Sequence, residues 1–229
     1  MKYMGSKTRI AKYILPIMLK ERKEGQVWVE PFVGGGNMID KVTGPRIGTD
    51  FNVNAITALS IIQNFAKFLP KNNTEFTEED YNHCKKGGEH NFKAFAGFAY
   101  SFASKWLGGW ARDKDNNDYV ARAFRSAQKQ SLLLKGVILA HRSYEELELP
   151  KNSLIYCDPP YQGTTGYKTG DFDHTKFWQW CRDKKKEGHT IFISEYNAPS
   201  DFICVWEKEV NVGVEITNTK RKVEKLFTL

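Results

Sequence analysis

Only four of the 229 residues are cysteine (Cys84, Cys157, Cys181 and Cys204), and no two of them form a CxxC pair. That excludes a disulfide framework and a zinc-ribbon spacing, and it suits a reducing compartment. His83, Cys84 and His90 lie close together, but no second Cys/His pair accompanies them, so no metal is expected. No run of about 18 apolar residues occurs, and the opening MKYMGSKTRIAKYI has no apolar stretch of the kind a secretory leader carries. The expectation is a soluble, cytoplasmic chain with no membrane partner. Internal repeats and low-complexity tracts are also missing. The dinucleotide pattern GxGxxG does not appear, so nothing calls for a bound pyrophosphate.

What is present is a hydrophobic fraction of 41%, enough for a sizeable core, and an aromatic fraction of 14%. The net charge of +7 is unevenly placed. Residues 81–135 hold ten basic and four acidic side chains, while the flanking stretches are close to neutral. A charge run is commonly just a solvated face. Here it is interleaved with Trp106, Trp110, Tyr119 and Phe124, a mixture that suits phosphate contact combined with stacking. Nucleic acid is the partner this favours.

Short β-rich runs alternate with helical stretches, the pattern of a mainly parallel α/β sheet. Strands are expected at Val27–Glu30, Arg46–Asp50, Val137–Ala140, Leu154–Cys157, Thr190–Ser194, near Ile203–Lys208 and near Lys225–Leu229. Helices are expected at Lys7–Lys20, Asn37–Val42, Asn52–Phe68, Tyr119–Leu134 and His174–Lys186. Between Pro70 and Leu134 the alternation stops. Residues 70–134 therefore read as a small inserted region, and 1–69 with 135–229 as the main domain.

Two strand ends carry chemistry. VWVEPFVGGGNMI passes from a short strand through Glu30 into three glycines, which let backbone approach a ligand closely. RIGTD ends at Asp50, positioned to accept hydrogen bonds from ribose hydroxyls. Together they suggest an adenosine-type ligand without phosphates, S-adenosylmethionine being the common one. A tight turn with a capping Asp would look the same.

The third strand end is LIYCDPPYQG. An Asp-Pro pair starts many ordinary turns. It also suits methylation of an exocyclic base amine, whose lone pair is delocalised into the ring. A carboxylate (Asp158) and a fixed carbonyl (Pro159) can grip the two N–H groups, because Pro159 and Pro160 limit φ. Tyr161 offers a π-face to a flipped-out base.

Taken in order, YMGSK at Tyr3–Lys7, VEPFVGGG, TDFN, DPPY, SEYNAP at Ser194–Pro199 and EKLF at Glu224–Phe227 resemble the adenine-specific (N6) DNA methyltransferases of the Dam-like type. The resemblance spans most of the chain. It implies a Rossmann-like S-adenosylmethionine-dependent methyltransferase sheet with target recognition in the insertion, and a restriction–modification setting. It further implies that Tyr3 packs on the cofactor and Lys7 contacts its charged end. Glu30, Pro31, Phe32, Gly34 and Gly35 would line the methionine part, Asp50 the ribose, and Ser143 and Tyr144 the adenine, with Asp158 bordering the same ligand. Ser143 departs from the Asp common in the family. Asp158, Pro159, Pro160 and Tyr161 would be the catalytic set. Lys2, Lys105, Arg112, Arg122 and Arg125 are the candidates for contact with double-stranded DNA by a monomer. Two other readings stay open: methylation of an exocyclic amine in RNA, and a catalytically inactive DNA-binding relative.

Overall fold

The computed structural model describes residues 1–163, 172–212 and 220–229. Seven strands form one sheet: β1 (Trp28–Glu30), β2 (Arg46–Asp50), β3 (Val137–His141), β4 (Leu154–Cys157), β5 (Thr190–Glu195), β6 (Ile203–Val212) and β7 (Lys220–Thr228). Their order is β3-β2-β1-β4-β5-β7-β6. The first five are mutually parallel, and β7 runs antiparallel to both β5 and β6. The α-helices are α1 (Ala11–Lys20), α2 (Val53–Phe65), α3 (Glu78–Lys85), α4 (Lys93–Ala99), α5 (Tyr119–Leu133) and α6 (His174–Lys186). None is long and apolar enough to cross a membrane among the described residues.

The central strands are apolar on both sides because helices cover both faces of the sheet. Strand period sorts β4 cleanly. Leu154 and Tyr156 join one apolar cluster with Ile14 and Met18 of α1 and Leu59 and Ile62 of α2. Ile155 and Cys157 join the other, with Ile191, Ile193 and Phe177 of α6. Helix starts follow local chemistry. Asn52, Asp118 and Asp173 accept backbone N–H bonds at the starts of α2, α5 and α6, from Asn54 (3.1 Å), Ala121 (2.8 Å) and Lys176 (2.9 Å). Such caps are each worth about 1 kcal/mol.

The stretch 70–134 supplies α3, α4 and α5, and Phe95 and Phe98 of α4 lie in the same apolar cluster as Ile14 and Leu59. Residues 100–111 form a loop closed by Ala111 N–H to Tyr100 carbonyl (2.8 Å) and Phe102 N–H to Gly109 carbonyl (2.8 Å). Near the end of α5, Gln130 is buried and donates to the Gly35 carbonyl (3.0 Å) and to Asp40 Oδ2 (3.0 Å).

Four expectations differ from what is observed; the helix expected at Asn52–Phe68 ends at Phe65 and passes into a separate 3-10 turn, Ala66–Phe68. The helix at Asn37–Val42 is only a 3-10 turn at Ile39–Lys41: the Gly35 carbonyl is taken by Gln130 and the Met1 ammonium, and the Ile39 carbonyl accepts the Val42 N–H (3.3 Å) together with Arg46 Nη1 (3.2 Å). The first helix begins as a separate 3-10 turn, Lys7–Arg9, before α1. Strands β6 and β7 reach well beyond their expected limits. Residues 220–224 of β7 pair with β6 alone, as a two-stranded ribbon that projects past the carboxyl end of β5.

Candidate active site

Trp28 of β1 pairs with Leu154 of β4, so the turns leaving these two parallel strands sit side by side. Strand order reverses here, where an open sheet leaves a ligand crevice beyond its carboxyl ends. On the β1 side, Gly34 has φ of +49° and a Cβ at Gly35 would lie 2.6 Å from Tyr3 Cβ and 2.9 Å from the Met1 carbonyl oxygen. Neither position accepts a side chain without strain. Asp50, at the end of β2, holds this turn: Oδ2 accepts the Gly34 N–H at 2.9 Å and Oδ1 the Asn52 N–H at 2.8 Å. Burial lifts its pKa to about 6, against the lowering effect of those two amides. Each oxygen keeps a further lone pair for a ligand hydroxyl.

Glu30 is buried and accepts Trp28 Nε1–H at 2.8 Å. Desolvation drives its pKa well above the carboxylate range. Pro31 is buried, and the Phe32 ring lies 5.4 Å from Tyr144 and 5.7 Å from Phe177. Ser143 Oγ is engaged in capping, accepting the Glu145 N–H at 3.3 Å. The donor set, close-approach glycines and acidic strand end fit a ligand with an adenosine moiety and an amino-acid end.

On the β4 side, Asp158 Oδ1 lies 2.8 Å from Lys7 Nζ, which also donates to the Gly5 carbonyl at 3.1 Å. The same ammonium stands 4.5 Å from the centre of the Tyr161 ring. Lys7 is only 8% exposed. Burial raises the pKa of Asp158, and the Lys7 charge works against that rise. Tyr161 OH donates to Glu224 Oε2 at 2.8 Å, and its ring meets Tyr196 edge-on at 4.6 Å. Glu195 accepts the N–H groups of Gln162 (3.0 Å) and Tyr196 (2.6 Å), tying the turn after Asp158 to the end of β5.

Glu195, Tyr196 and Glu224 carry no expected role in the sequence, although they lie within SEYNAP and EKLF. The signal available was position: an acid at the end of β5, and an acid in a strand that neighbours it. Glu195 has a testable consequence. Burial, and then the negative charge of Asp158, push its pKa from 4.5 to about 7 in the folded protein, against the two amides. A raised acid stabilises the fold fully below pH 4.5, and that stability is lost as pH rises through 7. At about 1.4 kcal/mol per unit the loss reaches roughly 3 kcal/mol. The stability of Glu195→Gln relative to the unmodified protein should therefore improve between pH 5 and pH 8 in denaturant melts. An identical difference at both pH values would mean that Glu195 ionises freely.

Lys2, Arg112 and Tyr119 line a cleft of about 320 Å³ together with residues of the 100–111 loop. Lys2 and Arg122 both stand over the Tyr119 ring, at 5.2 and 5.4 Å. Arg112 is ion-paired with Glu78, and Arg122 donates to Asn117 at 2.7 Å. Lys105 and Arg125 are exposed and line neither this cleft nor the smaller one beside it. Among the described residues no three His, Cys, Asp or Glu side chains gather as a metal site.

Sheet order and strand-end crevice define a Rossmann-like α/β protein. The sequence carries this further: residues 3–95 match the family model of the D12 class N6 adenine-specific DNA methyltransferases, the family type the motifs resemble. The matched stretch includes the glycine turn and Asp50 and ends before Asp158. A curated relative is the type II methyltransferase M.FokI of Planomicrobium okeanokoites, 26% identical over 198 residues, covering 74% of this chain and 30% of that protein. The chain thus spans less than a third of the length of that relative. Among solved structures, the tRNA (m1A58) methyltransferase TrmI of Aquifex aeolicus is 8% identical, with coverage of 98% and 70% and a TM-score of 0.41. SMU.472 complexed with SAH is 12% identical, with coverage of 98% and 52% and a TM-score of 0.39.

Proposed function

We propose that this chain transfers a methyl group from S-adenosylmethionine to the N6 amine of adenine in double-stranded DNA, with the base flipped out of the helix. One observation carries the reading: the Lys7 ammonium sits 2.8 Å from Asp158 and 4.5 Å from the centre of the Tyr161 ring. An N–H donor on that carboxylate and over that π-face is the contact a target amine would make. The family match over residues 3–95 and the relation to M.FokI support the same chemistry.

Tyr3, Lys7, Glu30, Pro31, Phe32, Gly34, Gly35, Asp50, Ser143 and Tyr144 would hold the cofactor, which supplies an electrophilic methyl group when bound. Asp158 accepts one N–H of the target amine and the Pro159 carbonyl, held by the two prolines, accepts the other. This draws the nitrogen towards a tetrahedral, nucleophilic form. The raised pKa of Asp158 makes it a better acceptor for the proton that the amine releases as the N–C bond forms. Tyr161, clamped by Glu224 and Tyr196, stacks on the base. Residues 70–134 are the target-recognition region, with Lys2, Lys105, Arg112, Arg122 and Arg125 facing the duplex, and 1–69 with 135–229 the catalytic domain of a cytoplasmic monomer.

Expression in a host that lacks DNA methylation, followed by sequencing that detects modified bases, tests the reading. N6-methyladenine at one recurrent sequence is the expected result. Unmodified genomic adenines, with methyl label found in RNA instead, would overturn it.

A further inference from the structure

The projecting ribbon of β6 and β7 separates charge between its two sides. Paired residues of an antiparallel ribbon share a face, so Trp206/Leu226, Lys208/Glu224 and Val210/Lys222 lie on one side and Glu207/Lys225 and Glu209/Val223 on the other. The second side is mixed in sign, and its Glu209 is ion-paired with Arg221. The first side faces the site. Glu224 is its only acid among these pairs, and that carboxylate is buried and bonded to Tyr161.

The two lysines of this side are not ion-paired among the described residues. They rest on aromatic rings instead: Lys222 lies 4.3 Å from the centre of Tyr196 and Lys208 3.8 Å from the centre of Tyr13. Tyr13 itself stacks on Trp206 at 6.1 Å, and Lys12 of α1 stands 5.0 Å from the Tyr13 ring. Tyr196 is in turn packed against Tyr161. A row of ammonium groups therefore starts one ring away from Tyr161 and runs along the ribbon to α1. Ammonium groups held on ring faces keep their charge available to an external anion, and a row of them matches a chain of phosphates.

We infer that the site-facing side of the β6–β7 ribbon is a second DNA-backbone contact surface, with Lys208 and Lys222 binding phosphates across the active site from residues 70–134. This rests on the proposed action on DNA. It also places phosphate contacts in a part of the chain whose net charge, counted along the sequence, gives no hint of them.

The test is a set of duplex-DNA binding titrations over a range of KCl concentrations. They compare the unmodified protein, Lys208→Gln, Lys222→Gln, the double variant, and a Glu207→Gln/Glu209→Gln control on the opposite side. Each lysine variant should bind more weakly at low salt, with a log–log salt slope shallower by roughly 0.9. The site sequence that is methylated should not change, because phosphates position a duplex without identifying its bases. The control should bind as tightly as the unmodified protein or more tightly, with an unchanged slope. Wild-type slopes in both lysine variants, alongside methylation of DNA by the unmodified protein, would overturn the ribbon surface and leave the proposed function standing. Failure of the unmodified protein to bind or methylate DNA would overturn both.

Discussion

Replacing Asp158 with alanine is expected to lower the rate of methyl transfer by at least about 10²–10³-fold, the cost of removing one group that stabilises developing charge in a closed site. Cofactor affinity should change far less, because the carboxylate acts on the target amine and its contribution grows towards the transition state. The variant carries a second cost. Lys7 is buried and loses its ion-pair partner, and breaking such a pair typically destabilises by about 3–5 kcal/mol. Asp158→Asn keeps a hydrogen-bond acceptor beside Lys7 and should fold more stably than the alanine variant, yet remain almost inactive. Single-turnover rates, with calorimetric cofactor titrations on both variants, separate the two effects. Turnover by folded Asp158→Asn within about tenfold of the unmodified enzyme would remove Asp158 from the chemistry.

The second large effect is expected at Asp50. In the sequence its role is a ribose contact; in the fold it also anchors the glycine turn through the amides of Gly34 and Asn52. Alanine at this position removes two charge-assisted hydrogen bonds, each worth about 1.5–3 kcal/mol. Relief of the burial that lifts its pKa to about 6 returns part of that cost. A net destabilisation of about 2–3 kcal/mol is expected, together with cofactor binding weaker by about 1–3 kcal/mol. Asp50→Asn keeps one strong acceptor and should fall between. Denaturant melts give the first quantity and isothermal titration the second. Unchanged cofactor affinity in both variants would place the ribose contact elsewhere.

Most of the sheet was legible because burial and periodicity agree there. Arg46–Asp50 and Leu154–Cys157 stand at their expected limits: β4 is a short apolar run followed by Asp158, and β2 lies between Pro45 and the acid Asp50. The β6–β7 ribbon was not legible at full length. Glu209, Arg221 and Lys222 lie where the strands leave the sheet and are exposed or half-buried, so no buried face imposes an apolar alternation. The Asn37–Val42 turn failed as a helix for a reason no local pattern contains, namely the Gly35 carbonyl captured by Gln130 from far along the chain. In the site, the positions of Asp50 and Asp158 at the ends of β2 and β4 could be read directly. The clamp on Tyr161 could not, because Tyr196 reaches it from just past β5 and Glu224 from β7.

Gln130 has a thermodynamic consequence of its own. It stands on the helix that begins at Tyr119, about 16 Å away along the axis, and its amide is bonded to the glycine turn at Gly35. The ring that carries Lys2 and Arg122 and the carbonyl that shapes the crevice thus belong to one stiff lever. If occupancy at either end shifts this helix, the affinity at the other end changes by a matching factor, because a coupling free energy is reciprocal. Gln130→Leu would remove one link and weaken the coupling, leaving the second that runs from Lys2 through Met1, whose ammonium also bonds the Gly35 carbonyl at 3.0 Å.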